Sequence, residues 1–251
     1  MSKALRSLQQ SAVPSSQDLS VINERLEGAP PIQILEWAVE TYGEGLALSA
    51  SFGGPEGMSL LHMLFRITDK VTVLTIDTGF LFKETVEFRE KVMRRYRLPL
   101  QVLRPALSVE EQVERYGEKM RTCTPDLCCQ VRKVSPLQEA LKRYDAWMTG
   151  IRREQTPQRA NTLVVSWDSR FEAAKIAPFA FVKEKWVHEY VARHNVPVNP
   201  LLKKGYKSIG CEPQTRLVAP DENIRAGRWS GMEKIECGLH WVEGQAKRVV
   251  S

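Results

Sequence analysis

Val71-Thr72-Val73-Leu74-Thr75-Ile76 runs straight into Asp77-Thr78-Gly79. Six β-branched or apolar residues with no alternation read as a strand covered on both faces, the habit of a parallel sheet. The turn residues end it, and Glu84 to Arg95 continues as an amphipathic helix. The same succession recurs on either side. Leu46-Ala47-Leu48 leads into Ser49-Ala50-Ser51-Phe52-Gly53-Gly54-Pro55-Glu56-Gly57, after which Met58 to Phe65 reads as a buried helix. Leu100 to Leu103 is a third strand, and Trp147-Met148-Thr149 a fourth, ending at Gly150. Upstream, Pro30 to Tyr42 carries Ile34, Leu35, Trp37 and Ala38 at helical spacing and stops at Gly43. This repetition predicts an α/β fold, a mostly parallel sheet with helices on both faces. Ligands of such sheets bind beyond the carboxyl ends of the strands, so loops 49–57, 77–82 and 150–159 are the natural walls of a site.

Composition narrows the classes of function. The chain has 251 residues, 43% hydrophobic and 26% charged, ordinary for a globular protein with a full core. No apolar run approaches the ~20 residues that cross a bilayer. The net charge of +6 suits an anionic small substrate as well as nucleic acid. Aromatics do not interleave with the basic residues, which argues against a nucleic-acid groove. Five cysteines are an odd number, and Met1 to Gln17 is polar, without an apolar targeting core. The expectation is a cytoplasmic, reducing setting, where clustered cysteines serve metals or catalysis more often than disulfides.

Two loops have the chemistry to hold an anion. Ser49, Ser51, Gly53 and Gly54 lie between a strand and a helix, where glycines let backbone N–H groups approach a phosphate. The loop lacks the Gly-Lys-Ser/Thr ending of a Walker A motif, and a tight turn without a ligand explains it equally well. Gly150-Ile151-Arg152-Arg153-Glu154-Gln155-Thr156-Pro157-Gln158-Arg159 places three arginines behind a buried strand, suited to bidentate recognition of phosphate or sulfate. A solvated charged loop is the alternative.

Further along stand Cys128-Cys129-Gln130-Val131-Arg132-Lys133, Lys204-Gly205-Tyr206-Lys207-Ser208-Ile209-Gly210-Cys211 and Glu236-Cys237-Gly238-Leu239-His240. Together with Ser49 to Gly53, Ile76 to Thr85 and Thr149 to Gln155, these segments resemble, in order, the assimilatory sulfonucleotide reductases. That family comprises the adenylylsulfate (APS) and 3'-phosphoadenylylsulfate (PAPS) reductases. The resemblance covers about residues 30 to 241. It implies a fold related to the ATP pyrophosphatases and the reduction of an activated sulfate to sulfite, with thioredoxin or glutaredoxin as dithiol partner. Cys237 matches the nucleophile, which would form an S-sulfocysteine. Ser49, Ser51, Phe52, Gly53, Gly54, Asp77, Thr78, Gly79, Arg152, Arg153, Gln155, Arg159, Arg225 and Arg228 are the expected substrate contacts. His240 is a base or a phosphate-positioning group. A nucleophilic thiol needs a positive setting, and Arg225, Arg228, Lys234 and His240 all lie close to Cys237 in sequence. The implied organisation is a polar tail over 1–25, a nucleotide-binding reductase domain over 26–215 and a mobile segment over 216–251.

The chain departs from the family at one place. Members with a [4Fe-4S] cluster pair the adjacent cysteines with a downstream C-x-x-C, whereas here Cys211-Glu212-Pro213-Gln214 ends in glutamine. An amide oxygen is a poor ligand for iron. Cys128, Cys129 and Cys211 are the expected ligands, with Lys133 near the cluster. Three readings stay open: an open or exogenous fourth ligand, recruitment of Cys123, or a lost cluster. APS is the expected substrate, since the cysteine pair goes with that type. PAPS is the alternative, because Ser51-Phe52-Gly53 and Gly150 to Gln155 look closer to the cluster-free type. An ATP-using adenylating enzyme is disfavoured by the missing Asp-Ser loop ending, and a non-catalytic metal module would leave Cys237 without a purpose. Oligomeric state is left open, homo-oligomers included.

Overall fold

The computed structural model describes residues 15–232, 234, 236 and 238–240. Cys237 lies outside the described residues. Six strands form one sheet: β1 (Leu46–Ser49), β2 (Thr72–Ile76), β3 (Leu100–Leu103), β4 (Ala146–Met148), β5 (Val165–Asp168) and β6 (Ala173–Ile176). Their order is β3-β2-β1-β4-β6-β5, all neighbours parallel except the antiparallel β5–β6 pair.

Both faces are covered, and the period-2 geometry of a strand shows how. Leu46 and Leu48 of β1, Val73 of β2, Ala146 and Met148 of β4 and Ile176 of β6 enter one core cluster. Ala47, Leu74, Trp147 and Ala173 point to the opposite face and enter a second. The first cluster is closed by apolar residues of α1 (Ser16–Leu26), α2 (Pro31–Tyr42), α3 (Pro55–Phe65) and α4 (Lys83–Tyr96). Past α5 (Val109–Tyr116), the chain enters α6 (Pro125–Cys129) and then α7 (Ser135–Leu141), whose Leu137, Ala140 and Leu141 close the second cluster. No helix among the described residues is long and apolar enough to cross a membrane.

Helix α3 starts at Pro55, three residues ahead of the sequence expectation, because proline at the first position gives up no helical hydrogen bond. Between α6 and α7 the chain makes a π-turn over Gln130–Val134, a local widening that periodicity does not reveal.

The chain runs outward from β1 through β2 to β3, then returns to β4 on the other side of β1. The connections diverge at the carboxyl ends of β1 and β4, and that crevice is where such sheets bind ligands.

Candidate functional site

A cavity of about 560 Å³ occupies that crevice, within the ~300–1,000 Å³ usual for small-ligand sites. Ser49 lines it from the end of β1, Ser51, Gly53 and Gly54 from the loop that follows, Thr78 from the loop after β2, and Gly150 and Arg152 from the loop after β4.

The first loop is held in shape rather than relaxed. Phe52 adopts a left-handed backbone (φ 57°), a conformation costing about 1–2 kcal/mol for a residue with a side chain. Its ring is sunk in the core, and its carbonyl accepts from Asn199 Nδ2 at 3.0 Å. Asn199 Nδ2 also donates to Thr85 Oγ1 at 2.9 Å, so one buried amide ties the loop to α4. At Gly53 a Cβ would come within 2.9 Å of the Ile209 carbonyl oxygen; only glycine allows this approach. Phe52, expected at the substrate, therefore shapes the loop from behind and is not part of the cavity wall.

The arginine-rich loop differs from its sequence reading. Arg152 reaches the cavity wall but is 1% exposed and already has anionic partners. Its Nε donates to Glu56 Oε1 at 3.1 Å, Nη1 pairs with Glu154, and Glu184 is 4.0 Å from Nη2. Arg153 points away from the cavity, donating to the Thr162 carbonyl at 2.8 Å and pairing with Glu27. Asp77 and Gly79 also lie outside the wall. Asp77 faces Arg89 at 3.5 Å and accepts from the Gly79 N–H at 3.2 Å, which makes it a turn former.

Arg159, Arg225 and Arg228 do converge on the cavity. Arg228 stacks on Trp229, 4.6 Å from the ring centroid, and its Nη1 donates to the Ile209 carbonyl at 3.2 Å. Arg159 grips Glu236 in bidentate fashion, Nε to Oε2 and Nη2 to Oε1 both at 2.8 Å, and Arg225 Nη2 reaches Oε1 at 3.1 Å. Arg170 of the β5–β6 turn donates to the Gly238 carbonyl. The His240 ring lies parallel to Trp147, centroids 6.4 Å apart. Burial, followed by the nearby Arg159, Lys175, Arg225 and Arg170, pushes its pKa well below the ordinary histidine range. His240 is therefore neutral at pH 7 and adds no positive charge for a neighbouring thiolate, contrary to the sequence expectation.

A family model, the phosphoadenosine phosphosulfate reductase domain, matches residues 45–217. The chain belongs to the sulfonucleotide reductase family. An adenosine 5'-phosphosulfate reductase of Shouchella clausii is 44% identical over 224 residues, 89% of this chain and 92% of the relative. A phosphoadenosine 5'-phosphosulfate reductase of Gloeobacter violaceus is 42% identical over 217 residues, 85% of this chain and 90% of the relative. The crystal structure of a phosphoadenylyl-sulfate reductase from Candida auris, a phosphate complex, superposes with a TM-score of 0.72 at 30% identity. It covers 82% of this chain and 100% of that one. A Candida glabrata FMN adenylyltransferase shares the fold alone (TM-score 0.53, 16% identity, 86% of this chain and 71% of that one), which places the reductase in the ATP pyrophosphatase-like fold. Members of this family are oxidoreductases acting on a sulfur group.

Beside this cavity lies a second, smaller void. Its wall holds Cys128, Cys129 and Cys211 with Gln214, Phe80, Arg121, Arg132 and Lys133. All three thiols are buried, and the described cysteines are free of disulfides. Lys133 and Cys211 line both cavities. Burial tends to raise the Cys211 thiol, but Lys133, the Thr78 hydroxyl and Arg228 outweigh it and hold its pKa below the usual range. Cys128 is pushed up by burial and by Cys211. Gln214 Nε2 donates to the Arg121 carbonyl at 2.6 Å, and Cys123 is exposed and outside the wall.

No group of three or more His, Cys, Asp or Glu among the described residues is spaced to hold a single metal ion. In an iron–sulfur cluster each thiolate would bind a different iron, so the three cysteines that share this void meet the donor chemistry of such a group in part, whereas the Gln214 amide does not.

Sequence reasoning missed the internal anions Glu56 and Glu236, although both sit inside quoted segments. It also missed Arg170 and the cavity-lining Lys207 and Ser208. Arg170 pairs with Asp168 two residues away, but nothing local in the sequence marks its reach to the carbonyls of Gly238 and Leu239, 68 and 69 residues on.

Proposed function

We propose that this chain reduces adenylylsulfate to sulfite and AMP with electrons from a thioredoxin-type dithiol. The observation that carries the reading is the convergence, at the switch point of the sheet, of a braced glycine loop with Arg159, Arg225, Arg228 and Lys133. Onto the same cavity fold Glu236, Leu239 and His240, which flank Cys237 in sequence. Backbone N–H groups of the 49–54 loop suit one end of a nucleotide and the guanidinium cluster the other.

In this mechanism the Cys237 thiolate attacks the sulfur of the sulfate group. The S–O bond to the phosphate breaks, its electron pair leaves with AMP, and Cys237 becomes an S-sulfocysteine. A partner thiolate then attacks the Cys237 sulfur, releasing sulfite, and its second thiol resolves the mixed disulfide. The partner is oxidised by two electrons and Cys237 returns as a thiol. An anion approaches an anion in the first step, so fixed guanidinium charge should supply much of the acceleration. Arg159, Arg225 and Arg228 are assigned that role, and His240, uncharged, positions the C-terminal motif against Trp147.

Cys128, Cys129 and Cys211 would hold an iron–sulfur cluster. When bound, it would set the electrostatics around Lys133, the lysine common to both cavities.

Reduction of 3'-phosphoadenylylsulfate is the second reading, favoured by Lys207 and Ser208, which add a cation and a hydroxyl to the same cavity wall. Anaerobic sulfite release, compared for the two nucleotides with thioredoxin and its reductase supplied, decides between them. A kcat/KM at least about tenfold higher for adenylylsulfate, a difference of about 1.4 kcal/mol, supports the first reading. Sulfite from neither nucleotide overturns both.

A further inference from the structure

Two of the guanidinium groups on the cavity wall are already occupied by an anion of the chain itself. Glu236 Oε2 accepts from Arg159 Nε and Oε1 from Arg159 Nη2, both at 2.8 Å. Oε1 also accepts from Arg225 Nη2 at 3.1 Å. The side chains of Arg159, Arg225 and Glu236 are 6%, 16% and 13% exposed, so water competes little for these bonds. All three line the substrate cavity.

Arg159 is fixed from behind: Nη1 donates to Gln155 Oε1, and Gln155 Nε2 in turn donates to Glu56 Oε1 at 2.9 Å. Residues downstream of Glu236 have holds of their own, through Arg170 on the Gly238 carbonyl and His240 on Trp147. The Glu236 carboxylate and both arginines share the cavity wall. A phosphosulfate or diphosphate is tetrahedral at each centre, yet it offers paired oxygens to the same guanidinium fork with more negative charge.

We propose that Glu236 is a positioning residue that exchanges with substrate. Its carboxylate holds the C-terminal motif on the Arg159–Arg225 pair, and the anionic end of an incoming nucleotide displaces it. Nucleotide binding thereby frees Glu236 while the Arg170 hold on the Gly238 carbonyl remains. The inference rests on the proposed nucleotide reading. It differs from a purely structural ion pair in one respect: removing the carboxylate charge must strengthen anion binding.

The test uses the full chain and ADP, a diphosphate nucleotide with no sulfur to reduce, with inorganic sulfate as a second probe. Glu236→Gln should bind both more tightly in calorimetric titration. The gain for ADP should be about tenfold, since a charge-assisted contact no longer competes. With the adenylyl substrate, KM should fall, because the substrate no longer has a carboxylate to displace. Alkylation of Cys237 by iodoacetamide, read peptide by peptide in a Cys123→Ser background, should accelerate on adding ADP to the parent. In Glu236→Gln it should be fast without ADP. Glu236→Asp, which keeps the charge and shortens its reach, should give a smaller gain and is the readout if Glu236→Gln loses its thermal transition. Unchanged or weaker ADP binding in the folded variant, or alkylation insensitive to ADP in the parent, overturns the exchange. If the parent binds ADP and sulfate but releases no sulfite from either sulfonucleotide, the functional reading fails while the exchange stands. Normal turnover with unaltered ADP affinity in Glu236→Gln overturns the exchange and leaves the functional reading intact.

Discussion

Replacing Arg152 by alanine separates a strut from a ligand contact. Its guanidinium is buried at 1% exposure and faces Glu56, Glu154 and Glu184. Breaking a buried ion pair costs about 3–5 kcal/mol, most of it from the charge left behind. Glu154 and Glu184, 34% and 48% exposed, would turn to water, but Glu56, 16% exposed at the start of α3, would not. The expected loss is therefore at the low end, about 3 kcal/mol. For a chain of this size that lowers Tm by about 6–12 °C. Arg153→Ala, whose Glu27 partner is 45% exposed, should cost no more than about 1 kcal/mol. The assay pairs thermal denaturation with steady-state kinetics, and KM for the sulfonucleotide should rise less than about fivefold, under 1 kcal/mol. A Tm within about 2 °C of the parent, together with a KM raised by more than tenfold, would refute the reasoning and return Arg152 to the substrate.

Gly210→Ala should act through Arg228, since the added Cβ would lie 2.0 Å from Arg228 Nη2. The guanidinium must leave the cavity wall, and a kcat/KM lower by about 10- to 100-fold is expected from one lost charge-assisted contact, with little change in Tm. Stability should also fall as the solution is acidified. His240 and His62 both have folded-state pKa values below that of the unfolded chain, chiefly through burial. Their contribution is complete above about pH 6.5 and is lost as pH drops toward the folded values, because the unfolded state then binds more protons. Urea unfolding at two pH values on either side of that point measures the loss, and His240→Gln should shrink it. Gln214→Cys should raise the iron content of anaerobically purified protein and slow bleaching in air, because thiolate suits iron better than an amide; unchanged iron content counts against a cluster at this void.

Strands β1 to β4 were legible because each is an apolar run bounded by turn residues. Strands β5 and β6 were not: Val165–Asp168 and Ala173–Ile176 are four residues each and carry Asp168 and Lys175, which read as loop. β6 is fully buried because it lies between β4 and β5, a placement its own composition does not show. In the site, glycines and the Cys128, Cys129 and Cys211 set were readable because backbone approach and thiol chemistry belong to those residue types. The arginines were readable only in part. A guanidinium seeks an anion, but sequence does not say whether that anion is a ligand or a carboxylate folded in from elsewhere. Glu56 lies 96 residues from Arg152, Glu27 lies 126 from Arg153, and Glu236 lies 77 from Arg159. The same holds for His240, whose charge state is set by burial and by four cations drawn from three parts of the chain.

The covalent step on Cys237 is the centre of the proposed chemistry. Intact-protein and peptide mass spectrometry of the anaerobic enzyme, incubated with adenylylsulfate and no dithiol partner, should find one added sulfonate on the peptide containing Cys237. Thioredoxin should remove it and release one equivalent of sulfite. An unmodified Cys237 peptide while AMP accumulates, or a sulfonate carried by another cysteine and discharged to sulfite, would contradict it.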